Sequence, residues 1–153
     1  RRVWGRELDA GLAKRDASLG GLQISAGGML AIGEHLTGEE RTKVLDLARP
    51  SAALYIGGMG ARGKNFYNDV CRAYGYEAEA TAVQDLYLSG KKAEAIAALP
   101  TELLELSNLV GPPGLVKERI AAYREAGVTH LQVMPVGPDP VGQIAAIREL
   151  VDA

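Results

Sequence analysis

An α/β fold with a parallel sheet is predicted by the rhythm of the C-terminal part of the chain and by the scarcity of strands elsewhere. An amphipathic helix over 115–125 leads through Glu125-Ala126-Gly127-Val128 into a mostly apolar strand over 128–136. Gly137-Pro138-Asp139-Pro140 then turns the chain into a last helix over 141–151. Helix, strand, turn and helix in that order belong to parallel α/β sheets. Leu131, Val133 and Val136 make a nearly continuous apolar run, the mark of a strand covered on both faces. Only two strands are secure, at 22–33 and 128–136, with a third near 106–110. Three parallel strands make a poor sheet alone, and an incomplete α/β barrel explains the shortage.

The remaining elements follow from local signals. Trp4, Leu8 and Leu12, spaced by four, predict a helix over 2–15 that Gly20-Gly21 breaks. Leu22 to Ala26 alternates as a strand and continues through Gly27-Gly28 to Gly33. Paired glycines inside a strand imply that another group approaches the backbone closely. Thr37-Gly38-Glu39-Glu40 has the form of a capping box opening a helix to about Leu47, and Pro50 suits the first turn of the next helix. From 65 to 89 the pattern is helical, with Phe66, Val70, Ala73 and Tyr74 as one apolar stripe, an interruption at Gly75 and an end at Gly90. A short alanine-rich helix over 91–99 closes at Pro100, and an apolar run over 103–110 reads as a helix followed by a short strand.

Composition narrows the class. The chain has 153 residues, one ordinary domain, with Lys+Arg 17 against Asp+Glu 19 and a net charge of −2. That balance carries no broad basic footprint for nucleic acid. A single cysteine, Cys71, excludes a disulfide scaffold and fits a reducing cytoplasm, where it reads as a small buried hydrophobe. No apolar run approaches the ~18 residues of a membrane span. The chain opens on Arg1-Arg2-Val3-Trp4 without a methionine or a signal-peptide core, so it is expected to be a piece of something longer.

The segment Gly57-Gly58-Met59-Gly60-Ala61-Arg62-Gly63-Lys64-Asn65 concentrates the functional signal. Glycines let backbone N–H groups approach a ligand, and Arg62 with Lys64 makes an anion the natural guest. Gly58, Gly60, Arg62, Gly63, Lys64 and Asn65 are therefore the candidate binding residues. By letter the segment fits both a P-loop and a dinucleotide fingerprint, and its context argues against each. Asn65 stands where a P-loop needs Ser or Thr for magnesium. A dinucleotide site needs a helix, a second strand and an acidic residue about 20 positions on. Here Asp85 lies inside a helical stretch with no strand before it. The plain alternative is a glycine-rich link between helices whose charges are solvated. No cluster has metal-ligand spacing, and there is no nucleophile elbow. His35 reads as solvated and His130 as structural, so no catalytic acid or base is assigned.

The stretch from Tyr55 to Tyr67, with Val110-Gly111-Pro112-Pro113, Val116, Arg119-Ile120 and Glu125-Ala126-Gly127-Val128, resembles the luciferase-like oxidoreductases. More narrowly it resembles their branch using the deazaflavin coenzyme F420, with FMN as the alternative cofactor. The resemblance implies a (β/α)8 barrel of more than twice this length, of which this chain is the C-terminal part, about strands six to eight with extra helices. It implies hydride transfer between the deazaflavin and a small organic substrate. The family's first five strands, which hold much of the ring pocket and the acid/base residues, are absent from these 153 residues. It also turns residues 51–57 from strand to helix and makes the glycine segment a link near the barrel mouth. Arg62 and Lys64 become partners for the coenzyme's phosphate and glutamyl tail. Gly27-Gly28 and the segments after Val110 and Met134 become pocket linings.

Such a part alone is not expected to be a competent enzyme. It should expose two sheet edges and an apolar face, and so form homo-oligomers or pair with the missing half of the barrel. A reading of another class is a non-catalytic α/β module that binds an anion or a protein through Gly57–Asn65.

Overall fold

The computed structural model describes residues 3–152. Three parallel strand lines form its centre. The first is β1 (Ser25–Ala26) and β2 (Met29–Ile32), broken at Gly27-Gly28. The second is β3 (Leu109–Gly111), and the third is β4 (His130–Leu131) with β5 (Met134–Pro135). Around them lie α1 (Gly5–Leu12), α2 (Gly38–Asp46), α3 (Arg49–Ala53), α4 (Phe66–Ala73), α5 (Glu77–Leu88), α6 (Lys92–Ala97), α7 (Thr101–Ser107), α8 (Pro113–Glu125) and α9 (Pro140–Asp152). A π-helical turn, Leu54–Gly58, continues α3, so residues 51–57 are helical as the resemblance implied.

The α/β class and the parallel strands are as expected, but the strand order is not that of consecutive barrel staves. In a closed barrel each strand lies between its sequence neighbours and the helices form one outer ring. Here the order is β3-β2-β5, with the first strand in the middle. Alternate residues of β2 face opposite layers. Met29 and Ala31 pack with Leu36, Leu45, Leu104 and Val110 beneath α2 and α7, whereas Leu30 packs with Leu109, Val116, Ile120 and Ile147 beneath α8 and α9. The expected bare apolar face is therefore covered on both sides. The physical reason is the unpaired edge of β2. Along the line of β1 and β2, the carbonyls of Ala26, Gly28 and Leu30 accept from Gln132, Met134 and Val136 at 3.0, 2.8 and 2.9 Å. Pro135 fits this outer strand because an edge position needs no N–H there.

Close approach at the glycine pair makes the packing possible. A Cβ on Gly27 would lie 2.0 Å from the Gln132 carbonyl oxygen, and one on Gly28 would lie 2.1 Å from that of Ser107. The side chain of Asn108 fixes the same point, its Oδ1 accepting from Met29 N at 2.8 Å and its Nδ2 donating to Leu104 O at 2.7 Å. At the other end of β2, Gln143 of α9 accepts from Ile32 N at 2.6 Å and donates to Ile32 O at 3.1 Å. Arg41 ties α2 to the sheet by donating to Val110 O at 2.8 Å and pairing with Glu105.

A second, purely helical body packs α3, the π turn, α4, α5 and α6 around Ala53, Ile56, Cys71, Ala80, Val83, Ala95 and Leu99. Two local expectations change. The Thr37 side chain makes no capping bond, and Glu40 pairs with Lys43 at 2.6 Å instead of reaching back to Thr37 N. The buried residues of α4 are Asn68 and Cys71, while Phe66 and Tyr74 of the expected stripe are exposed. Gly27→Ala is expected to destabilise the fold by about 3 kcal/mol or more, at the upper end for forced overpacking, since backbone rather than a movable side chain blocks the new methyl. Urea unfolding of the two proteins measures it.

Candidate functional site

The glycine segment is built from its helices outward. Asn65 caps α4, its Oδ1 accepting from Tyr67 N and Asn68 N at 3.0 and 3.3 Å, as a short polar side chain before a helix should. Its Nδ2 donates to the carbonyls of Tyr55 and Ile56, both at 3.0 Å. Asn68 donates to Ile56 O at 3.0 Å and Ala80 O at 2.7 Å, and accepts from Arg72 Nε at 2.8 Å. These two buried asparagines satisfy the carbonyls that the π turn frees, so the fold itself engages every polar atom of Asn65.

The glycines serve packing. A Cβ on Gly57 would meet Tyr87 Cβ at 2.6 Å, and one on Gly58 would meet the Tyr87 ring at 2.4 Å. A Cβ on Gly60 would lie 2.3 Å from Lys64 O, which marks a tight turn. Gly63 has φ +71° with open space beside it. Arg62 is exposed and pairs with Asp85 at 2.7 Å. Lys64 is exposed, with no ion pair among the described residues. The segment is thus a link between helices, and what it offers outward is the Lys64 ammonium, the Gly63 turn and, after exchange with Asp85, Arg62.

Two cavities lie elsewhere. One, about 600 Å³, opens where β1 breaks into β2; Ser25, Gly27, Gly28, Asn108 and Gln132 form its polar side and Leu47, Ala48, Tyr55 and Leu104 its apolar side. The other, about 700 Å³, is an apolar trough between the sheet end and the helical body. None of Gly58, Gly60, Arg62, Gly63, Lys64 and Asn65 lines either cavity. Asn65 nevertheless reaches them indirectly, because Tyr55, whose carbonyl it holds, lines both. Of the expected linings Gly27 and Gly28 are in place. The segment after Met134 lines neither cavity, which the third strand line reaches only through Gln132, Val133 and Met134, and the C-terminal end of β3 is closed by Arg41 and Leu115 against Gly111. Sequence reasoning missed Asn68, Asn108 and Gln132. Asn65 before an apolar run was a readable capping signal, but nothing local announces which residues a strand break will face.

Electrostatics here are neutral. No lining residue of either cavity is charged. Burial lifts the Cys71 thiol from 9.0 to about 11, with Glu79 adding and Arg72 opposing, and burial likewise raises Tyr123, with Arg119 opposing. His35 and His130 are both exposed, the latter with Nδ1 3.0 Å from Thr129 Oγ1. Among the described residues no group of three His, Cys, Asp or Glu is placed to hold a metal, and no helix is long and apolar enough to cross a membrane.

Residues 1–130 match the family described as luciferase-like monooxygenase. The chain belongs to that family. A Mycobacterium tuberculosis protein whose name describes a coenzyme F420-dependent oxidoreductase is 36% identical over 109 residues, 71% of this chain and 31% of that protein. A solved structure, the coenzyme F420-dependent tetrahydromethanopterin reductase of Methanopyrus kandleri, superposes with a TM-score of 0.56 at 20% identity, over 85% of this chain and 35% of its own. This family member thus spans about a third of the length of these relatives, and its fold corresponds to part of a (β/α)8 barrel, with the last strand set on the far side of β2.

Two outcomes follow. Asn68→Ala should destabilise by about 2–4 kcal/mol, because it leaves the buried Ile56 and Ala80 carbonyls without that donor; thermal melts check it. Because the folded thiol of Cys71 titrates above its unfolded value, the native state binds the extra proton between pH 9 and 11. Stability should be insensitive to this group below pH 9 and fall from pH 9 to about 11. Urea melts across that range, with Cys71→Ala flattening the decline, check it.

Proposed function

We propose that the chain is part of an F420-dependent oxidoreductase in which hydride passes between the deazaflavin and a small organic substrate, acting in the cytoplasm. The uncharged polar cavity at Gly27-Gly28 carries the reading, in a chain of this family with a 36% identical relative named for F420 dependence. Its residues fit a flat, neutral heterocycle. Ser25, Ser51, Ser107 and Gln132 offer hydroxyl and amide groups at its edge, the glycine pair lets backbone come close, and Tyr55 with Leu104 gives an apolar wall.

Deazaflavin, when bound, supplies a ring carbon that gives up or takes up hydride, so this chain's residues bind, orient and exclude water. The glycine segment fits an acidic tail through Lys64 and the open turn at Gly63, with Arg62 exchanging Asp85 for the ligand. Gly58, Gly60 and Asn65 support that edge from within rather than touching the ligand. FMN would meet the same cavity; coenzyme F420 is preferred because the named relatives use it. The further strands of the barrel would come from other residues of the polypeptide or from a second copy.

An anion-binding module without catalysis has less support, because Tyr87 and the backbone occupy Gly57, Gly58 and Asn65. Titrating the protein into coenzyme F420 should change the deazaflavin fluorescence saturably. Arg62→Ala with Lys64→Ala should weaken binding by about tenfold or more, the loss expected for one or two charge-assisted contacts. A folded protein that leaves the fluorescence untouched would sink the proposal.

A further inference from the structure

We infer that the apolar trough is a binding site for an uncharged, ring-bearing organic molecule, the class of substrate that would meet a coenzyme held in the adjoining polar cavity. Binding rests on the trough alone; only the ligand's role as substrate rests on the function proposed above.

Four observations lead there. The core does not consume the apolar side chains of α4 and its C-terminal cap, since the exposed Tyr67 and Tyr74, with Val70, line the trough. Its volume, about 700 Å³, is within the usual range for small-molecule sites and larger than a stray packing defect. Tyr55 and Tyr67 meet edge to face, with centroids 4.7 Å apart and planes at 77°, an arrangement that a further ring can extend. Finally, Ala26, Gly27, Ala52, Tyr55, Leu104 and Ser107 line both cavities, so the trough and the polar pocket adjoin.

The chemistry of the ligand follows from what the lining lacks and offers. It contains no charged side chain, so a buried ionic group would enter without a counter-charge and lose its hydration uncompensated. On the floor, buried Cys71 stays a neutral thiol at ordinary pH. The Tyr123 hydroxyl already donates to Leu106 O at 3.1 Å, while the Tyr74 hydroxyl accepts from Trp4 Nε1 at 3.3 Å and keeps its own hydrogen to donate. The Tyr55 and Tyr67 hydroxyls have no partner among the described residues and can donate to a ligand carbonyl or hydroxyl. The fit is a neutral ring system carrying one oxygen acceptor.

Two dyes test this on the intact chain. Nile red is neutral, planar and carries a carbonyl; 1-anilinonaphthalene-8-sulfonate has similar ring bulk with a fixed negative charge. Nile red should bind saturably with blue-shifted emission, at least about tenfold more tightly than the sulfonate. Tyr55→Ala with Tyr67→Ala should weaken it about tenfold, and Val70→Glu should abolish it, whereas Val141→Ser, exposed and outside the lining, should leave it unchanged. If an alanine variant melts early, Tyr55→Phe with Tyr67→Phe removes only the hydroxyls and should still weaken binding a few-fold.

Equal affinity for both dyes, or Nile red binding indifferent to the paired tyrosine changes, overturns the inference. So does Nile red affinity that falls as protein concentration rises while the mass doubles, which assigns the trough to a second copy. A normal Nile red result with no response from coenzyme F420 rejects the coenzyme reading and leaves the trough; the reverse pair of results rejects the trough alone.

Discussion

Three polypeptide lines meet at Gly27-Gly28, and the arrangement of the sheet depends on their distance there. With the Gln132 and Ser107 carbonyls on either side, the backbone of the central strand has no room for a side chain. This closeness lets β2 take partners on both edges and makes it the middle strand. A sheet whose middle strand is covered on both faces can bury Leu30, Leu109 and Val116 almost completely with only three short strand lines. The same pinch interrupts both β1–β2 and β4–β5, and the interruption leaves the polar cavity. Sheet order and site therefore have one cause.

The second constraint is the π turn at Leu54–Gly58. The helix ends in this turn, so its last carbonyls lack helical donors, and two side-chain amides, Asn65 and Asn68, supply them at Tyr55 and Ile56. That network is buried, and the described residues contain no buried side-chain polar atom without a partner. It fixes the Tyr55 carbonyl and so the position of the Tyr55 ring, which stands between the two cavities. Gly57 and Gly58 complete the arrangement by letting Tyr87 lie against the turn. The glycines that resemble a phosphate cradle thus act first on helix packing, and the charges beyond them remain outward.

Together the two constraints give an uncharged apolar trough beside an uncharged polar pocket, with Arg62 and Lys64 outside both. Charge is met at the surface link and not within either cavity. The histidines and the cysteine add no charge to either cavity. His35 and His130 are solvent-exposed, and Cys71 is held protonated by burial.

Local pattern determined the class of fold. Alternating and continuous apolar runs located the three strand lines. Gly75, Gly90 and Gly127 each mark a helix end, with φ of +99°, +80° and +90°. The glycine pair announced a close approach before its partners were known. What a single sequence could not express is which segments become neighbours. Thr37 had the letters of a capping box, yet Gly38 at φ +48° opens the helix without that side-chain bond. The stripe from Phe66 to Tyr74 had the period of a core face, yet Phe66 is exposed and only Val70 and Tyr74 of it line the trough, because the helical body buries Asn68 and Cys71 instead. Strand order and cavity linings are long-range properties. They arise when the free edge of β2 takes up the last strand, a choice made by hydrogen-bond satisfaction across more than 100 residues of chain. Local periodicity carries no record of that choice.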